Sequence, residues 1–127
     1  MAATLDEDGV SASAVELVEV EEVVRLLASQ DVSAFAPAEL VYARGRSDPA
    51  RRLAARLAAK RAARALLGGD LALDDFEIVR GEYGPPALRL SDRAQARLRE
   101  LGAARALVSL THERGQAAAL VVLVGER

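Results

Sequence analysis

Cysteine and tryptophan are absent from this chain, and histidine occurs once. Without cysteine there are no disulfides and no thiolate-held metals, which fits a reducing compartment. One histidine with no readable partner spacing gives no Ser–His–Asp arrangement. Two phenylalanines and two tyrosines are the whole aromatic content, so the core has to be aliphatic. No apolar run approaches membrane-spanning length, and the acidic start MAATLDEDG lacks the basic and apolar parts of a secretory leader. The expected location is the cytoplasm, off the membrane. No glycine-rich phosphate loop is present either: Gly68–Gly69 follows a helical stretch instead of opening one, and a helix stop accounts for it. With a net charge of −2 and so few aromatics, nucleic acid is not the expected partner.

What is present is an apolar half, 51% of the 127 residues, enough for one domain with a sizeable core. The charge is unevenly placed. Residues 1–31 hold eight acids against Arg25, whereas residues 44–64 hold eight bases against Asp48. Within the second block, RLAARLAAKRAARALLGG places Arg52, Arg56, Lys60 and Arg64 four apart, a basic line on a helix. Like charges so spaced repel unless something offsets them, and an anion would. The bland alternative is a solvated basic face.

Residues 1–12 read as a loose tail and 13–127 as the domain. AVELVEV alternates like a short strand, with Val15 and Leu17 on one side and Glu16 on the other. Val20, Val23, Val24 and Leu27 then keep helical spacing. Pro37 opens a possible short helix. Asp48 as N-cap, Pro49 at the first position and Gly68 past the end bound the basic helix. FEIVRG (76–81) and PALRL (86–90) are strands around a turn with Gly84, and Ser91 caps DRAQARLREL. ALVSLTH and QAAALVVLV form a hairpin. The element order predicts an α+β domain with an antiparallel sheet and packed helices.

Three stretches in this order, AVELVEVEEV, LAARLAAKRAARALLGG and VSLTHERGQAAALVVL, resemble the holo-acyl-carrier-protein synthase group of 4′-phosphopantetheinyl transferases. The resemblance spans Ala14 to Val124, and the Ser-x-Thr-His element ending at His112 is its most specific part. It implies a phosphopantetheinyl transferase-like fold, homotrimeric assembly with sites at subunit boundaries, and a place in fatty acid and lipid metabolism. It also implies transfer of the phosphopantetheine arm from coenzyme A to a serine of an acyl carrier protein, with magnesium as cofactor. On this resemblance Arg56, Lys60, Arg64 and His112 would bind the coenzyme. Glu16 would be metal ligand or base. The apolar run Leu120–Val124 agrees with association, since a strand apolar on both faces needs covering on both.

Two positions depart from the family's paired carboxylates for magnesium: Glu16 stands for aspartate, and Arg61 stands where a glutamate is usual. A guanidinium offers magnesium no oxygen and repels it, so an altered or weakened metal site is expected. Three placements of Arg61 stay open. It can pair with Glu16 and serve phosphates in place of the metal, hold a retired site together through the same pair, or turn out to solvent. Glu22 replaces a customary arginine on the first helix, and Glu19, Glu21 and Glu22 would oppose an acidic carrier unless they point elsewhere. The alternative function is a non-catalytic relative that binds coenzyme A, a carrier protein or a partner subunit.

Overall fold

The computed structural model describes residues 10–80 and 84–125. Strand β1 (Val10–Glu19) leads into helix α1 (Val20–Ala28), followed by α2 (Pro37–Arg44) and the long α3 (Pro49–Leu67). One turn of 3-10 helix (Leu73–Asp75) precedes β2 (Phe76–Arg80) and β3 (Pro86–Leu90); α4 (Asp92–Glu100), β4 (Arg105–Glu113) and β5 (Gln116–Val124) complete the order. The α+β expectation therefore holds, with the 3-10 turn as an addition. Of the expected tail, residues 1–9 lie outside the described residues, and Val10 is already paired with Val124. Gly81 of the expected strand FEIVRG also lies outside them.

The expected antiparallel pairing is present, divided among the described residues between two sheets. β5 is the centre of one, flanked by β1 and β4, and β2 with β3 forms a separate ribbon. In the three-stranded sheet Val18 faces Ala117, Glu16 faces Ala119 and Ala14 faces Val121. These residues form the side that α3 covers, with Val18, Ala117, Ala119, Val121 and Leu123 all buried. The alternation in AVELVEV is real, but the side carrying Glu16 is the inner one. Val15 and Leu17 point away and are 64% and 56% exposed. Hydrophobicity alone points the other way. Small side chains on β5 let the helix approach, and it is the helix that decides which face is core.

Helix α3 is the spine of the molecule. Ala54, Ala58, Ala59 and Ala62 are fully buried, and Leu53 and Leu57 nearly so. One core cluster joins its first half to Val18, Val23, Phe35 and Ile78; the other joins its second half to Phe76, Leu98, Val121 and Leu123. Its ends are held differently from expectation. Asp48 makes no side-chain cap; its carboxylate pairs with Arg51 at 3.0 Å instead. At the other end the guanidinium of Arg97 donates to the Leu67 carbonyl at 2.7 Å and pairs with Asp70 at 2.8 Å. Gly68 is there at φ +134°, where a Cβ would meet Arg97 at 2.3 Å. No helix among the described residues is long and apolar enough to cross a membrane.

The alanine face sets the helix–sheet distance, so enlarging it should be felt directly. Ala58→Leu is expected to lower unfolding free energy by about 1–3 kcal/mol, measured by urea denaturation. An unchanged midpoint would mean that the helix does not press on the sheet at this position.

Candidate functional site

A helix turns 100° per residue, so residues four apart drift by about 40° and the row from Arg52 to Arg64 winds through roughly 120°. On a surface helix this drift matters little. On α3, packed from several sides, it sends the four cations to three different surroundings.

Lys60 goes into the core. It is 0% exposed, and its ammonium donates to Glu39 Oε1 at 2.5 Å and to the Ala34 carbonyl at 2.7 Å. The expectation that Lys60 faces phosphates is thereby corrected: its charge is committed to Glu39. That carboxylate, equally buried, also accepts from the backbone of Ala36 and Ile78, both at 2.9 Å. One carboxylate thus ties α2, α3 and β2. Burial pulls the Lys60 pKa below the ordinary lysine value, and the charge and hydrogen bond of Glu39 oppose that pull.

Arg52 and Arg56 reach a cleft of about 240 Å³ lined by Tyr42, Ala55, Arg80, Leu110 and His112 as well. The Arg56 guanidinium lies over the Tyr42 ring, 4.3 Å from its centroid. Its Nε is 4.0 Å from Glu39, too far for a hydrogen bond, and the buried Nε atoms of Arg52 and Arg56 both lack a hydrogen-bond partner. Burial lowers the Arg56 pKa, partly offset by Glu39. Three guanidiniums and an imidazole share this cleft with no carboxylate among the described residues of its lining, which concentrates positive charge at donors short of acceptors. His112, expected here, does come to Arg56. No spacing in the sequence marks Arg80 or Tyr42; they arrive from β2 and α2 through the packing around Glu39.

Arg64 lines a different hollow, of about 350 Å³, together with Glu16, Arg61, Ala65 and Gly69. Glu16 and Arg61 are neighbours, as expected, but the salt bridge is not theirs. Arg61 grips Glu22 of α1 with both terminal nitrogens, Nη1 to Oε1 at 3.1 Å and Nη2 to Oε2. The pairing with Glu16 and the solvent-facing placement are both corrected, the latter because the Arg61 side chain is only 31% exposed. The reason is reach: Glu22 projects from a helix packed beside α3, whereas Glu16 is fixed on the strand beneath. The Glu22 hydrogen bond raises the Arg61 pKa, with Glu16 adding a smaller attraction, and the same bond from Arg61 lowers that of Glu22. Among the described residues no three His, Asp or Glu side chains gather as a metal site. Among the described residues Glu16 is the one carboxylate in the lining and two guanidiniums share it, so these residues do not fit magnesium held by paired carboxylates.

Another hollow, of about 500 Å³, lies elsewhere, between α4 and β4. Arg99 and Gln95 are the polar side chains in its lining, neither is buried, and no cation of α3 lines it among the described residues.

No protein-family model matches the chain. It is 40% identical over 119 residues to the holo-acyl-carrier-protein synthase of Anaeromyxobacter sp. (strain K), covering 87% of this chain and 92% of that one. The same enzyme of Syntrophus aciditrophicus (strain SB) is 35% identical over 124 residues, covering 91% and 97%. The fold matches a solved ACPS–CoA complex named for Chronobacterium ammoniagenes with a TM-score of 0.73 at 27% identity, over 91% of this chain and 97% of that one.

Removing the negative partner of a buried pair strands the positive one. Glu39→Gln is expected to cost about 3–5 kcal/mol in urea unfolding, and adding Lys60→Met should recover much of it because no charge is then left buried alone. Equal losses in the single and double variants would contradict this.

Proposed function

Because the chain belongs to the holo-acyl-carrier-protein synthase family, we propose that it transfers the 4′-phosphopantetheine arm of coenzyme A to a serine of an acyl carrier protein. The observation that carries this for the chain itself is the cleft of Arg52, Arg56, Arg80 and His112. The Nε atoms of Arg52 and Arg56 lack acceptors among the described residues, Glu39 offsets the charge of Arg56 only in part, and a coenzyme phosphate supplies what both need. The relative solved with coenzyme A supports the choice of anion. Arg56 and His112 bind phosphate oxygens directly. Lys60 acts from behind, since it fixes Glu39 and through it the position of Tyr42 and Arg56.

In the reaction, the carrier's serine oxygen bonds to the phosphorus that bears the pantetheine arm. The bond from that phosphorus to the bridging oxygen breaks, and 3′,5′-ADP leaves with the electron pair. Glu16 takes the serine proton, and Arg64 offsets charge gathering on the departing phosphates. Of the three glutamates expected to oppose an acidic carrier, Glu22 is neutralised by Arg61 and Glu19 accepts from the Gln116 side chain at 2.9 Å. The neutral Gln116 amide leaves the Glu19 charge in place, so Glu19 at the end of β1 and Glu21 on α1 still present negative charge.

The same reading includes a homotrimer in the cytoplasm. Val15, Leu17, Leu107 and Leu120 stand on the outer face of the three-stranded sheet, 64%, 56%, 46% and 38% exposed, and such a face is stabilised by covering it. His112 lines both the cationic cleft and a small hollow on this sheet with Leu17, Thr111 and Gln116. A subunit docked there would lie beside the bound coenzyme. One observation favours the binding-only alternative: a guanidinium stands where the family keeps its second metal carboxylate.

Mass spectrometry of carrier proteins incubated with this protein and coenzyme A separates the two. Gain of the phosphopantetheine mass is expected; coenzyme binding without any gain across several carriers would favour the alternative. In calorimetry, Arg80→Ala or His112→Ala should weaken coenzyme A by about 1.5–3 kcal/mol, roughly ten- to a hundredfold, and added salt should weaken the parent. Light scattering should give three times the monomer mass; a stable monomer at micromolar concentration would rule the trimer out.

A further inference from the structure

On the coenzyme reading, on which this inference rests, the hollow of Glu16, Arg61 and Arg64 has to accept phosphate charge, yet it does not suit a divalent ion. We infer that Arg61 replaces that ion: held by Glu22, its guanidinium is a built-in cation, and coenzyme A binds without any metal.

The geometry has the parts such a replacement requires. A mobile arginine would lose freedom on meeting a ligand, but two contacts to one carboxylate fix the plane of this guanidinium beforehand. A guanidinium carries five donor hydrogens. The two contacts to Glu22 leave the others for a ligand. The pair is partly accessible, 31% and 33% exposed by side chain, so it is open from the hollow without being free in solvent. Charge is also suited to an anion. The lining sums to one positive charge, Arg61 and Arg64 against Glu16, while Glu22 is engaged behind Arg61 and lies within the influence of Arg25 on its own helix. A divalent cation entering this space would meet two guanidiniums and, among the described residues, a single carboxylate not already held by Arg61, that of Glu16. Their repulsion exceeds the attraction of one ligand, whereas a phosphate gains from both arginines.

The pairing also explains the occupants of two positions together. An arginine at 61 without an acid at 22 would be a cation half-buried among Ala62, Ala65 and the strand, and a glutamate at 22 without an arginine would face α3 unpaired. Each side chain offsets the cost of the other, so the site works as a reciprocal pair.

The test is titration of coenzyme A into the protein in chelator and in millimolar magnesium, for the parent, for Arg61→Gln, and for the exchange Glu22→Arg with Arg61→Glu. The exchange keeps an ion pair between α1 and α3, so it is the variant expected to fold even if Arg61→Glu alone, which gathers three carboxylates, does not. The parent should bind within twofold in the two media, and its melting temperature without coenzyme should not respond to magnesium. Arg61→Gln should weaken binding at least tenfold in both. In the exchanged protein magnesium should strengthen binding at least tenfold and raise the melting temperature. Parent binding that falls tenfold in chelator and returns with magnesium would overturn the inference while leaving the coenzyme reading intact. Absence of parent binding in both media would instead overturn the coenzyme reading, and this inference with it.

Discussion

The contact between Lys60 and Glu39 is what allows a helix with six cations to serve as the core of a small domain. Eleven residues of α3 are buried, two of them charged, and a charge without a partner at such depth would cost more than the domain can sustain. Glu39 meets the need by gathering the Lys60 ammonium and two backbone N–H groups into one carboxylate. Three elements converge on it, and each brings a site residue: Tyr42 from α2, Arg56 from α3 and Arg80 from β2.

From that anchor the chemistry divides along the helix. Below Lys60 the arginines face a cleft where the buried Nε atoms of Arg52 and Arg56 lack acceptors among the described residues. Above it they face a hollow where Glu22 already holds two donors of Arg61. The first arrangement is poised for a ligand anion, while the second carries its own counter-ion and changes how that ligand is met. The helix pitch is sufficient cause, since the 40° drift per four residues rotates each successive cation into a new environment.

The sequence carried much of the fold, because caps and breakers act locally. Pro49, Gly68 and Ser91 each stand where the helices begin or end, and Ser91 does accept from Ala94 at 3.2 Å. The ordered family motifs carried the assignment of α3 and of the His112 hairpin. What could not be read is set by contacts distant in sequence. The inner face of β1 depends on alanines of β5 a hundred residues away, and hydrophobicity points the wrong way there. The burial of Lys60 depends on Glu39, an acid in a stretch with no motif. Glu22 and Arg61 are 39 residues apart, and each looks like an isolated departure until the helices are packed together.

The central claim is that the basic row of α3 has separate tasks, with Lys60 a structural ion and Arg52 and Arg56 the phosphate ligands. A crystal structure of the coenzyme A complex tests it most directly. The account predicts a coenzyme phosphate within hydrogen-bond distance of Arg56 and His112, with Lys60 still bound to Glu39. A phosphate held by Lys60, swung away from Glu39 while the Arg52–Arg56 cleft stands clear of the coenzyme, would contradict it.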